Sequence, residues 1–161
     1  MPMEAVIFDL DGVIVSTDDL HYRGWKQLAD EEHIEFDRRI NERLRGVSRM
    51  ESLEILLERA KRSYTPAEKE EMASRKNGYY RRLLETLTAD DLLPGAAKTL
   101  AALKARKIKV AVASSSRNAG LILRRIGLEN AFDAVVDGND ISRSKPDPEV
   151  FVKAAQRLGL A

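Results

Sequence analysis

The sequence contains no cysteine among its 161 residues. Disulfide frameworks, thiolate metal sites and cysteine nucleophiles are therefore excluded, while the compartment is left open by that count. It also lacks an excess of either charge: 27 Lys and Arg face 26 Asp and Glu, for a formal net charge of +1. That balance offers no footprint for a nucleic acid and no polybasic surface for a membrane. No apolar run approaches the length that spans a bilayer. The N-terminus has no basic-then-apolar leader pattern, because an apolar strand begins almost at once. Internal repeats and low-complexity segments are absent too. A soluble, cytoplasmic chain is expected, with room for one ordinary domain or a core plus a small accessory domain.

What is there is concentrated at the two ends. The run Ala5-Val6-Ile7-Phe8-Asp9-Leu10-Asp11-Gly12 delivers two carboxylates, two residues apart, from a short apolar strand into a glycine turn. Further strands are expected over 108–113 and 134–136, with helices over about 95–106, 118–126 and from Asp147-Pro148 to about Leu158. Strand and helix alternate, so this part reads as a parallel α/β unit.

The middle, about residues 17–88, holds no convincing strand and is rich in charge. A helix is expected over about Asp19–Glu32. Ser48-Arg49-Met50-Glu51 and Thr65-Pro66-Ala67-Glu68 each have the form of a capping box ahead of a further helix. A helical unit is thus inserted after the first strand and its loop. The chain crosses out near Val13–Ser16 and back near Ala89–Pro94, two adjacent crossings that make a natural hinge.

Unpaired charges beside a core are costly, so paired acids at the end of a buried strand point to a bound cation. A carboxylate beside a cation can attack phosphorus. Asp9 is the candidate nucleophile. Asp9 and the backbone carbonyl of Asp11 are the candidate metal ligands for Mg²⁺, which takes oxygen donors and keeps some waters. The Asp11 side chain suits general acid/base work. Asp-Gly alone is common turn chemistry, but Asp-Leu-Asp-Gly directly after a chain-initial apolar run is far more specific. Ser114-Ser115-Ser116-Arg117-Asn118 follows the second strand and opens a helix, where hydroxyls and backbone N–H groups suit a phosphate. In isolation an ordinary serine-rich cap has the same form. Lys145, in Ser144-Lys145-Pro146, is a cation placed after the third strand.

Asp9-Leu10-Asp11-Gly12, Ser114 and Lys145-Pro146 resemble the first three motifs of the haloacid dehalogenase superfamily. Within it the chain is similar to the β-phosphoglucomutase family. That similarity runs through Phe8–Ile14, His21-Tyr22-Arg23-Gly24-Trp25-Lys26, Gly46-Val47-Ser48-Arg49, Arg75-Lys76-Asn77, Pro94-Gly95, Ala113–Asn118 and Ser144-Lys145-Pro146. The resemblance implies an α/β, Rossmann-like core over 1–16 and 89–161, with an inserted α-helical cap over 17–88. It implies a phosphomutase interconverting β-D-glucose 1-phosphate and D-glucose 6-phosphate, through β-glucose 1,6-bisphosphate and an aspartyl-phosphate on Asp9, with Mg²⁺. By the same similarity, Ser114 and Lys145 bind the transferring phosphate. Arg49, Ser116 and Asn118 hold the distal one, and Ser115 and Arg117 belong to the same phosphate-binding run. Gly46, Val47, Ser52 and Lys76 line the sugar site, with Trp25 as a further candidate that cap-core packing explains better than a sugar contact. Thr17 and His21 sit near Asp11 and couple it to cap closure.

The sequence also departs from that family. Nothing matches the fourth, acidic motif that completes the metal site, and Asp133, Asp137 and Asp140 precede Lys145, in the wrong place to replace it. The family's sheet has its first strand in the centre, so Ala5–Phe8 is expected here as an open edge. The expectation is a fragment, weak or inactive alone, that takes the missing strands from a second chain or a swapped copy and is otherwise a monomer. Two alternatives remain open: a sugar-phosphate phosphatase of the same superfamily, and a non-catalytic sugar-phosphate-binding fragment.

Overall fold

A computed structural model describes residues 1–160. The chain forms two compact units, Met1–Thr17 with Thr86–Ala161, and Asp18–Glu85. The first unit is built on a parallel sheet of three strands, β1 (Ala5–Phe8), β2 (Lys109–Ala113) and β3 (Ala134–Val136), in that order across the sheet. Parallel pairing demands long crossovers. The inserted unit and helix α5 (Ala96–Ala105) separate β1 from β2, and α6 (Ala119–Arg125) separates β2 from β3. (Helices α1 to α4 belong to the inserted unit.) Helix α7 (Glu149–Arg157) follows β3 and buries Val150, Ala154 and Leu158 against Ala111, Ala113, Ala134 and Val136 of the sheet. Strand residues alternate between faces, so Val110 and Val112 point to the opposite side, where α5 packs on β2.

Register positions the chemistry. Phe8 pairs with Val112, and Ala113 pairs with Val136. Asp9 and Ser114 therefore both lie just beyond the C-terminal ends of neighbouring strands, where ligands gather in parallel sheets. Among the described residues, β1 has a partner on one side only, and its four residues are half-buried. The segments that leave and re-enter this unit are stitched together: Leu93 N–H donates to the Ile14 carbonyl at 2.9 Å, and Val15 bridges Leu92.

The second unit is helical: α1 (Asp18–Glu31), α2 (Arg38–Glu42), α3 (Arg49–Leu57) and α4 (Pro66–Leu84). Trp25, Leu28, Ile34, Phe36, Leu53, Leu56 and Met72 form its core. The box at Thr65 closes in both directions, with Glu68 returning a bond to the Thr65 amide. At Ser48 only half forms: its hydroxyl accepts from the Glu51 N–H at 3.3 Å, without the reciprocal bond. Helix α2 was not anticipated; Asp37 caps it by accepting from the Ile40 N–H. Helix α7 begins one residue later than the expected first helical position, Pro148, and the Asp147 carboxylate still accepts from the Glu149 N–H at 3.0 Å. Among the described residues, no helix is long and apolar enough to cross a membrane.

Candidate active site

Asp9 is the first residue beyond β1. Its Oδ1 accepts from the Leu10 N–H at 2.8 Å and faces the Lys145 ammonium at 3.0 Å. Its Oδ2 accepts no hydrogen bond from any described residue, and the side chain is 45% exposed. One oxygen is thus oriented while the other keeps its lone pairs for phosphorus or a cation. Gly12 takes a left-handed φ of +80°, and its N–H closes on the Val15 carbonyl at 2.7 Å. This tight turn brings Asp11 back under Thr17, whose N–H donates to Asp11 Oδ1 at 2.8 Å. Thr17 is 1% exposed, so the anchor of Asp11 is a buried backbone amide.

Lys145 is held from two more directions. Its ammonium donates to the Ala113 carbonyl at 3.1 Å and lies 5.2 Å from the centre of the Phe151 ring. Ala113 is the last residue of β2, immediately before Ser114. One cation therefore ties the end of β1 to the end of β2, and brings Asp9, Ser114 and Lys145 together. Neither the Ala113 carbonyl nor Phe151 was legible as part of the site.

The serine run is arranged differently from a helix N-terminus. Ser114 is buried and its N–H donates to the Val136 carbonyl at 2.9 Å. Ser114 Oγ accepts from the Ser116 N–H and Ser116 Oγ from the Asn118 N–H, each at 3.1 Å. The expected row of free amides is thus corrected: the hydroxyls already take two of them. The amides of Ser115 and Arg117, both exposed residues, have no hydrogen-bond partner among the described residues. A second loop braces this one. Gly138 N–H donates to the Ser116 carbonyl at 3.0 Å, and Asn139 Nδ2 donates to the Arg117 carbonyl at 3.2 Å. Gly138 is unreplaceable there on steric grounds, since a Cβ would lie 2.4 Å from the Ser115 carbonyl oxygen. Nothing in the residue pattern around Gly138 announces that role.

The helical unit gathers a second group. Lys76, 3% exposed, directs its ammonium at His21 Nδ1 at 2.9 Å and over the rings of Trp25 and Tyr80, each 4.7 Å away. His21 stacks on Tyr80 with centroids 3.9 Å apart. Burial, helped by the Arg49 charge, pulls the Lys76 amine down to about 7. Burial and the same two cations hold His21 well below its ordinary value. Next along α4, Asn77 accepts from Arg49 Nη2 at 3.1 Å. Ser52, one turn beyond Arg49 on α3, is buried, while Gly46 (φ +71°) is exposed and Val47 half-buried in the preceding turn. Trp25 takes the core position that the sequence favoured over its candidacy as a sugar contact: it is 3% exposed, within the apolar cluster, under the Lys76 ammonium.

For a metal, the test is the donor set. No group of three or more His, Asp and Glu that could hold an ion occurs among the described residues. Asp9 nevertheless fits as part of a Mg²⁺ shell, because magnesium commonly takes one or two carboxylates and completes its octahedron with water and phosphate.

Comparison with known proteins agrees with this geometry. A family model described as haloacid dehalogenase-like hydrolase matches residues 3–161. The chain is 49% identical over 161 residues to a β-phosphoglucomutase of Bacillus subtilis, covering 99% of the chain and 71% of that protein. It is 32% identical to a phosphorylated carbohydrates phosphatase of Thermotoga maritima, over 98% of the chain and 72% of the relative. Among solved structures, a β-phosphoglucomutase of Clostridium difficile superposes with a TM-score of 0.88 at 41% identity, covering 99% of the chain and 72% of that structure. A parallel sheet carrying an aspartate–lysine pair at its C-terminal edge, with 49% identity to one such protein, places the chain in the haloacid dehalogenase-like hydrolase family.

Proposed function

We propose that the chain carries the machinery of a phosphomutase acting on β-D-glucose 1-phosphate and D-glucose 6-phosphate. The observation that carries the reading is the Asp9–Lys145 pair, at 3.0 Å beyond β1, in a chain 49% identical to a β-phosphoglucomutase. Asp9 attacks phosphorus through a carboxylate oxygen. The bond from phosphorus to the sugar oxygen breaks, and Asp11 supplies the proton that the departing oxygen needs. In the return step Asp11 takes the proton of an incoming sugar hydroxyl as that oxygen bonds to phosphorus and Asp9 leaves. Entry of each phosphate by a different hydroxyl makes β-glucose 1,6-bisphosphate the intermediate. Ser114, Lys145 and the amides of Ser115 and Arg117 hold the transferring phosphate. Arg49, Ser116 and Asn118 are assigned to the distal phosphate, where the Arg49 fork suits a bidentate contact. Gly46, Val47, Ser52 and Lys76 are assigned to the sugar, and Thr17 keeps Asp11 aimed.

Asp9 and the Asp11 backbone carbonyl would hold Mg²⁺, whose chemistry there is to neutralise the phosphate charge that repels a carboxylate nucleophile. With only these donors, affinity for the ion and turnover by the 161 residues are expected to be low. A cytoplasmic setting goes with sugar-phosphate substrates.

A second reading is a sugar-phosphate phosphatase, in which water rather than a sugar hydroxyl attacks the aspartyl-phosphate. The exposure of Asp9 and Asp11 and the 32% identity to a phosphatase favour it. A time course on β-glucose 1-phosphate with Mg²⁺ and a trace of bisphosphate separates the two. Glucose 6-phosphate supports the mutase, and free inorganic phosphate in its place refutes it.

A further inference from the structure

We propose that Glu149 is a positioning residue for Lys145, fastening the loop that carries the lysine and so setting where its ammonium meets Asp9. The proposal deepens the phosphotransfer reading and rests on Lys145 being the cation of that site.

The chain between β3 and α7, residues 137–148, has no regular secondary structure, yet it must present Lys145 to within 3.0 Å of Asp9 Oδ1. Two carboxylates tie it down on either side of the lysine. Upstream, Glu149 reaches back from the first turn of α7. Its oxygens accept from the Arg143 N–H at 2.8 Å, from the Ser142 N–H at 3.1 and 3.2 Å, and from the Ser142 hydroxyl at 3.2 and 3.3 Å. Downstream, the Asp147 N–H donates to the Ser144 carbonyl at 3.1 Å, and the Asp147 carboxylate accepts from the Glu149 N–H. Lys145 stands between these ties.

An acid in the first turn of a helix ordinarily serves that helix, through its dipole or its own free amides. Glu149 instead directs its hydrogen bonds to residues six and seven positions earlier, and so acts on the loop. It does so from a rigid base, since Val150 and Ala154 of the same helix are fully buried against the sheet. Its charge is secure. Lys153, 3.0 Å away, and the amides of Ser142 and Arg143 hold its carboxyl down at about 2, so the clamp stays ionised across any physiological pH. Glu149 touches neither Asp9 nor any phosphate-binding residue assigned above, so its effect on the site passes through Lys145.

The test is competitive acetylation of the 161-residue chain by acetic anhydride, with each lysine followed by mass spectrometry. Lys98 and Lys104, exposed on α5, serve as references within the same sample. Glu149→Ala is expected to raise the labelling rate of Lys145 about fivefold, the population shift that one weak ion pair sustains, with the reference rates unchanged. The isosteric Glu149→Gln should raise it in the same direction and carries the test if the alanine variant does not fold. Equal Lys145 rates in all chains overturn the proposal, as does a rise shared with Lys98 and Lys104, which marks general loosening. A separate arm adds β-glucose 1-phosphate and Mg²⁺ to the unaltered chain. Protection of Lys145 there supports its phosphate role. Acceleration in the variants without such protection leaves the clamp standing and retires the phosphotransfer reading of Lys145.

Discussion

The Lys76 ammonium and His21 Nδ1 meet at 2.9 Å inside the helical unit, with no carboxylate bonded to either. Two basic groups share one buried space, and Arg49 adds a third positive charge to their electrostatics. The arrangement is favourable only when protons are scarce.

Its pH dependence has a definite sign. The folded-state value for Lys76, about 7, lies below its ordinary 10.5. Between those limits the unfolded chain binds more protons than the folded one, so stability rises with pH across that window and this group adds no slope below about 7. His21 acts with the same sign below 6.5, losing stability as pH falls toward its lowered value. Urea unfolding at pH 7 and pH 9 is expected to differ by on the order of 1 kcal/mol per pH unit. Lys76→Met should flatten that slope, and an undiminished slope in the variant would count against the assignment.

Gly138→Ala tests the brace behind the serine run. The new methyl would meet the Ser115 carbonyl oxygen at 2.4 Å and Arg117 N at 3.0 Å, both backbone atoms with little room to yield. A loss of roughly 1–3 kcal/mol of stability is expected, typical of overpacking. Weaker binding of inorganic phosphate should accompany it. Urea unfolding and calorimetry read the two effects, and a variant as stable and as tightly binding as the parent would contradict the steric account.

Asp11→Asn keeps the shape of the side chain and its acceptor for the Thr17 N–H, while removing the titrating oxygen. A fall in turnover of about 10²–10⁴-fold is expected, the usual contribution of a positioned proton donor. The melting temperature should move little. Rate and melting curve measured on the same preparation check this, and undiminished turnover would remove Asp11 from the acid/base role.

The open side of β1 leads to an expectation about assembly. A half-buried strand with a free row of N–H and C=O groups pairs readily with another chain. Light scattering over a hundredfold range of concentration should show mass rising with concentration, and addition of a strand-forming segment in trans should suppress it. A constant monomer mass would show that β1 does not recruit a partner.

Much of this was legible in the sequence because it is local. The apolar run ending in Asp9 and Asp11, the reciprocal capping box at Thr65 and the three strands follow from patterns within a few residues of each other. What escaped was long-range. Helix α2 spans five residues and carries almost no periodicity, so only its Asp37 cap could have announced it. Trp25 leans toward the core from its helical spacing, but only the packing of α4 across it removes the sugar-platform alternative. The Ala113 carbonyl and the Thr17 amide belong to the backbone and have no signature in residue type. The serine hydroxyls looked like donors for a ligand, whereas two of them act first as acceptors for their own loop.

The pairing of Phe8 with Val112 also bears on how such a chain can evolve. Asp9 and Ser114 meet the same volume only because the two strands end within one residue of each other. A change of side chain within β2 alters packing and leaves that meeting intact. The loss or gain of a single codon there would turn each following side chain to the opposite face and move Ser114 about one strand residue, roughly 3.3 Å, along the sheet. Lineages should therefore accept substitutions in Lys109–Ala113 while keeping its length invariant, and insertions should accumulate in loops that no reacting atom depends on.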